Sequence, residues 1–148
     1  MNKTLTILIL SIVGFSCNGD GFSGPEDSQI DQYVEANNLT VTEKTASGLV
    51  YILTSENLSG AALIAGQTVN VNYSGNLLSG KKFDSGNFSF ALLTGRVVRG
   101  FDEGIAKMRV GEKATIIFPS TLGYGSQGSG SIPKNSPLVF DIEVLTAR

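Results

Sequence analysis

The chain has 148 residues, 41% of them hydrophobic and 16% charged, which suits one domain with a single core. Eleven basic and thirteen acidic side chains leave a net charge of −2, so there is no electrostatic footprint for nucleic acid, and no nucleic-acid partner is expected. The absence of histidine and the single cysteine remove the commonest general base, disulfides within the chain and thiolate zinc clusters, and with them most hydrolase, oxidoreductase and metalloenzyme designs.

The chain opens with an apolar run from Leu5 to Phe15, too short to cross a bilayer of roughly 30 Å as a helix and of the length of a signal-peptide core. Cys17 closes this run after the small Ser16, an arrangement that resembles the acceptor site of bacterial lipoproteins, where the thiol is acylated and becomes the new N-terminus. Gly14 and Phe15 depart from the usual pattern at that site. Residues 1–17 are read as a signal peptide ending in a lipidated Cys17, with an exported chain anchored on the periplasmic or surface side of a cell-envelope membrane. Cleavage without lipid and a buried free thiol are the alternatives.

Residues 18–27, rich in Gly and polar side chains, cannot bury enough apolar surface to order themselves and read as a flexible tether. Residues 28–44 hold a short amphipathic helix and its connection. Ser28 with Asp31 three places on marks the expected start, and Ile30, Tyr33 and Val34 recur at helical spacing. This helix either packs on the following domain or pairs two copies.

Residues 45–148 form the main domain. Alternation with period two predicts half-buried strands at Leu49, Tyr51 and Leu53, at Val69, Val71 and Tyr73, at Phe88, Phe90 and Leu92, in ATIIF, and at Leu138, Phe140, Ile142 and Val144. Ser79-Gly80 between two apolar stretches predicts a hairpin turn. Antiparallel strands with one polar face need a cover on the other, and RVVRGFDEGIAKMRVGE, Arg96 to Glu112, supplies it. Phe101, Ile105 and Met108 line one face of a predicted short helix, with Asp102 and Glu103 in its first turn, Lys107 and Arg109 in its last and Gly111 ending it. Gly104 inside that helix costs about 1 kcal/mol against Ala unless another group must come close.

GYGSQG, Gly123 to Gly128, formally fits a dinucleotide fingerprint, but that motif works only where a helix begins on its last glycine. SGSIPKNSP follows instead, so the stretch reads as a loop whose glycines let the Tyr124 ring lean over whatever lies beneath.

From Leu49 to Leu145 the chain resembles the FKBP-type peptidyl-prolyl isomerases, through VNYSGNLLSGKKFDS, VVRGFDEGIAKMRVGEKATIIFP, GYGSQG and PLVFDIEVL in that order. The resemblance implies an α+β fold: a half-open antiparallel sheet wrapped around one short helix, with an apolar cavity between them. It implies pocket positions at Tyr73, Phe83, Asp84, Phe88, Val97, Val98, Phe101, Tyr124, Ile132 and Phe140. Of these, Tyr73, Asp84 and Tyr124 would orient a peptide in catalysis. Phe83, Phe88, Val97, Val98, Phe101, Ile132 and Phe140 would bind it, with Phe101 as floor and the Val98 N–H donating to a ligand carbonyl. Expected partners are proline-containing polypeptides and, in the same pocket, macrolide-type ligands; no cofactor or metal is expected.

Three departures from the family pattern stand out. The floor is Phe101 where many members have tryptophan. The connection between Asp84 and Phe88 reads as a three-residue loop without the arginine that often pairs with the aspartate, so Asp84 is expected to be freer. The segment from Ser126 to Ser131 lacks bulky side chains. Rotation about Xaa–Pro meets a barrier of about 18–20 kcal/mol from amide resonance and requires no bond to the enzyme, which suits a chain without histidine. A binding module with the same cavity but little turnover is the competing reading, and a carboxylate hydrolase finds no suitably paired acids.

Overall fold

A computed structural model describes residues 21–148; the apolar run and Cys17 lie outside them. The first element, α1 (Glu26–Ala36), starts two residues earlier than the sequence predicts, and no side chain caps it. Glu26 and Asp27 bring two carboxylates to its first turn, where they complement the helix dipole without a Ser28 cap. Ser28 instead accepts a hydrogen bond from Gln32 Nε2 at 3.1 Å, one turn on. The end of the expected tether is also held: Phe22 meets Tyr33 edge-on at 5.8 Å, and Gln32 Nε2 donates to the Ser23 carbonyl at 2.9 Å.

Six strands follow: β1 (Glu43–Lys44), β2 (Val50–Ser55), β3 (Thr68–Leu77), β4 (Lys82–Ala91), β5 (Lys113–Phe118) and β6 (Leu138–Ala147). They form one antiparallel sheet in the order β1-β2-β5-β6-β3-β4. The Ser79-Gly80 turn joins β3 to β4 as expected, with the Gly80 N–H donating to the Leu77 carbonyl at 2.9 Å and Gly80 at φ +86°. One expectation fails here. Asp84 to Phe88 is not a loop but part of the continuous ten-residue β4, because each of Asp84 to Phe88 keeps register with β3, from Gly75↔Asp84 to Val71↔Phe88.

The short helix α2 (Arg99–Ile105) lies across one face of this sheet. It ends before Met108, which is nonetheless fully buried in the same cluster as Phe101 and Ile105. Gly111, at φ +85°, serves the turn into β5 rather than the helix end. Gly104 is explained by proximity, since a Cβ there would sit 2.7 Å from the Ile116 side chain, and one on Gly100 would sit 2.4 Å from the Phe118 ring. Two hydrogens in place of methyls thus let the α2 backbone rest directly on β5.

The expected single core is two layers divided by the sheet. Leu49, Tyr51, Ile116, Phe118, Leu138 and Phe140 face α2 with Phe101 and Ile105. The alternate residues Val50, Ile52, Ile117 and Val139 face the other way and join Ile30 of α1, flanked by Tyr33, Val34 and Leu39. Period-two alternation dictates this: where α1 covers the sheet, both sets of side chains are apolar. The helix packs on the domain behind it, with Glu26 accepting from the Ser120 hydroxyl at 2.7 Å and from the Ser120 N–H.

Candidate active site

Between α2 and the sheet lies a cleft of about 620 Å³. It is lined by all ten positions singled out from the sequence: Tyr73, Phe83, Asp84, Phe88, Val97, Val98, Phe101, Tyr124, Ile132 and Phe140. These positions come from five separate parts of the chain, and only the fold brings them together.

β3 and β4 build the first wall. Odd-numbered Tyr73 and even-numbered Asp84 and Phe88 reach the same face because Tyr73 pairs with Gly86, midway between the other two. The Tyr73 hydroxyl donates to Asp84 Oδ2 at 2.7 Å, and the Ser85 N–H donates to Asp84 Oδ1 at 2.9 Å. The family's arginine is absent, yet Asp84 is not freer for it. A tyrosine and a backbone amide hold both its oxygens. Burial, then the hydrogen bond to Asp84 and its negative charge, push the Tyr73 phenol up to about 12, so at neutral pH it is a firm donor.

The floor is Phe101, which is 3% exposed. Its ring lies 5.1 Å from Phe140, 5.8 Å from Phe88, 5.7 Å from Phe90 and 6.0 Å from Tyr73, mostly edge-on or tilted as the ring quadrupoles prefer. Phe83 meets Phe140 edge-on at 5.5 Å. Gly75 makes that contact fit: a Cβ on it would come within 2.7 Å of both rings. Phe90 supports the rings from below, buried and in contact with Phe88 at 5.3 Å.

Val97 and Val98 form the second wall at the entrance to α2, where the Val98 carbonyl accepts the Phe101 and Asp102 N–H groups. The loop between Pro119 and β6 forms the third. A 3-10 turn (Ser120–Leu122) leads to Tyr124, a residue 38% exposed that lines the cleft, and paired hydrogen bonds between Ser129 and Ile132 present Ile132 from the far end of the loop. No helix follows Gly128, and the Asn135 N–H returns to the Gly125 carbonyl at 2.8 Å. The dinucleotide reading of GYGSQG therefore fails on geometry.

Sequence reasoning missed two contributions. Arg96, Ser129, Gly130 and Ser131 also line the cleft, and nothing in their composition signals it. Asp102 does more than complement a helix dipole: it is 5% exposed and accepts the Leu93 N–H at 2.8 Å, which pins the segment leading to Val97 and Val98. The signal available for it was an acid next to the apolar Phe101, a place where a charge is buried only if it has partners.

A half-open antiparallel sheet closed by one short helix holds a ring-floored cleft with an ordered Tyr–Asp pair at its mouth, a site suited to a compact apolar group. The family model described as FKBP-type peptidyl-prolyl cis-trans isomerase matches residues 60–145, and the chain belongs to that family. The matched domain is that of a peptidyl-prolyl cis-trans isomerase. Among curated relatives, FK506-binding protein 2 of Dictyostelium discoideum is 45% identical over 87 residues, 55% of this chain and 65% of its own length. The peptidyl-prolyl cis-trans isomerase Fkbp12 of Drosophila melanogaster is 46% identical over 86 residues, 54% of this chain and 80% of its own. Of solved structures, FkpA from Escherichia coli matches with a TM-score of 0.71 at 33% identity, covering 80% of this chain and 57% of that one.

Proposed function

We propose that this protein accelerates rotation of Xaa–Pro bonds in exported polypeptides, held to a cell-envelope membrane by a lipid on Cys17. The observation that carries the isomerase reading is the cleft: six aromatic rings and two valines surround it, while its ordered Tyr73–Asp84 pair sits at the rim. The planar amide is more charge-separated than the twisted one, so a site that excludes water disfavours the ground state more than the transition state. No nucleophile takes part. A 10⁴-fold acceleration requires about 5.4 kcal/mol at roughly 1.36 kcal/mol per decade, within reach of solvent exclusion and a few oriented hydrogen bonds.

In this reading the proline ring rests on Phe101 between Phe88 and Phe140. The Val98 N–H and the Tyr124 hydroxyl donate to flanking carbonyls, and Tyr73 holds Asp84 in place at the mouth. Relatives bear the name FK506-binding protein, and in this reading a macrolide-type ligand takes the same cleft. In this reading Phe101, where many family members have tryptophan, leaves a slightly larger or differently shaped floor.

Cis-to-trans conversion of a Xaa–Pro tetrapeptide tests the reading, with a Phe83→Ala, Asp84→Ala double variant as control. Equal rates for the two proteins would leave only a binding module. The anchor is supported by the Leu5–Phe15 run and Cys17 in the sequence. Loss of fatty-acid labelling in Cys17→Ala is the expected result, and label persisting in that variant would refute the anchor.

A further inference from the structure

β4 ends the sheet, and its outer edge pairs with no strand among the described residues. Its register decides which backbone groups are free. Thr68 exchanges both its backbone hydrogen bonds with Arg148, at the continuation of β6, so even-numbered residues of β3 turn toward β6 and odd-numbered ones toward β4. The partners of odd β3 residues, Phe90, Phe88, Gly86 and Asp84, therefore bond inward, and Ser85, Asn87, Ser89 and Ala91 point their N–H and C=O groups outward. Two side-chain contacts agree: the outward Ser85 N–H is taken by the Asp84 carboxylate, and the outward Ala91 carbonyl by the Thr94 hydroxyl at 2.8 Å. At Asn87 and Ser89 both donor and acceptor remain unpaired among the described residues.

Long edges of this kind are normally blunted, because they template pairing with another chain. Here the two ends are blunted, by Lys82 and Asp84 at one and Thr94 at the other, while the middle stays open. Phe88, between the two open residues, reaches from the same strand into the cleft. We propose that the Asn87–Ser89 edge of β4 is a second binding surface, on which an extended stretch of the client polypeptide adds as a short extra strand while its prolyl bond occupies the cleft. The occupant follows from continuity: a chain seated over Phe88 passes this edge, and unfolded backbone offers the alternating donors and acceptors that the edge lacks. The surface reads backbone rather than side chains, so it accepts many sequences.

The proposal rests on the isomerase reading, and the test separates the two. Backbone amide exchange is followed by NMR on the protein alone, with a four-residue Xaa–Pro peptide, and with an unstructured twenty-residue peptide carrying the same core. The Asn87 and Ser89 amides are expected to exchange at least fivefold more slowly with the long peptide only, and kcat/KM should be severalfold higher for it. An ester-backbone version of the long peptide, lacking the N–H groups that would meet the edge, should lose that gain. Unchanged exchange at both amides overturns the proposal whatever the turnover of the short peptide, which alone tests the isomerase reading. Protection that needs no peptide and grows with protein concentration also overturns it, in favour of a second copy of this chain.

Discussion

At the scale of single residues, the site depends on groups whose value comes from one close neighbour. Tyr73→Phe removes the donor to Asp84 while keeping the ring against Phe88 and Phe101. A hydrogen bond to a charged acceptor contributes about 1.5–3 kcal/mol, less where water competes, so kcat/KM should fall about three- to tenfold with the fold intact, measured on a Xaa–Pro tetrapeptide. The same phenol makes stability sensitive to alkali. Its folded value of about 12 lies above the ordinary 10, so above pH 10 the unfolded chain has released a proton that the folded chain keeps. Stability is therefore complete below pH 10 and is lost as pH rises toward 12. Tyr51, raised to about 12 first by burial and then by Glu112 and Glu43, adds in the same direction. Urea midpoints taken at about pH 8 and 11 should drop less in Tyr73→Phe than in the unmodified protein.

At the scale of elements, α2 and α1 are held by contrasting means. α2 has only seven residues and cannot stand alone, so its place depends on close contact with β5. Gly104→Ala sets a helix-propensity gain of about 1 kcal/mol against overpacking of about 1–3 kcal/mol from a Cβ 2.7 Å from Ile116. The clash wins because Ile116 is a fully buried, branched side chain, and the urea midpoint should fall. α1 is held by Ile30, fully buried against Val50, Ile52, Ile117 and Val139. Ile30→Ala should cost about 2–5 kcal/mol of stability in denaturant titration, yet leave kcat/KM of the folded protein unchanged, since the sheet stands between it and the cleft. Sequence reasoning recognised both helices by their apolar spacing but misplaced their ends. Neither the Pro25 start nor the early end of α2 carries a side-chain cap to read. The misread Asp84–Phe88 connection has a similar cause: Asp, Ser, Gly and Asn suit a turn locally, and the edge of a twisted sheet tolerates them once β3 pairs alongside.

At the scale of the whole molecule, one sheet serves two apolar layers, and this couples them. Tyrosine fluorescence and far-UV circular dichroism should report one coincident urea transition, because neither layer can lose its strands without the other. Two separated transitions would show that the α1 layer unfolds by itself.

Composition alone excluded most catalytic chemistries, since a side chain that is missing cannot be supplied by folding. Alternation and the ordered family segments determined the strands, the ring-bearing positions and the kind of chemistry, because those depend on spacing along the chain. Tertiary structure decided what depends on neighbours across it. It gave Asp84 its partner in Tyr73 and Asp102 its partner in the Leu93 N–H, let Gly75 and Gly104 admit rings and side chains, and left the edge of β4 unpaired among the described residues. The physical reason is that hydrogen bonds and van der Waals contacts act over a few ångströms of space, whatever the distance between their partners in the sequence.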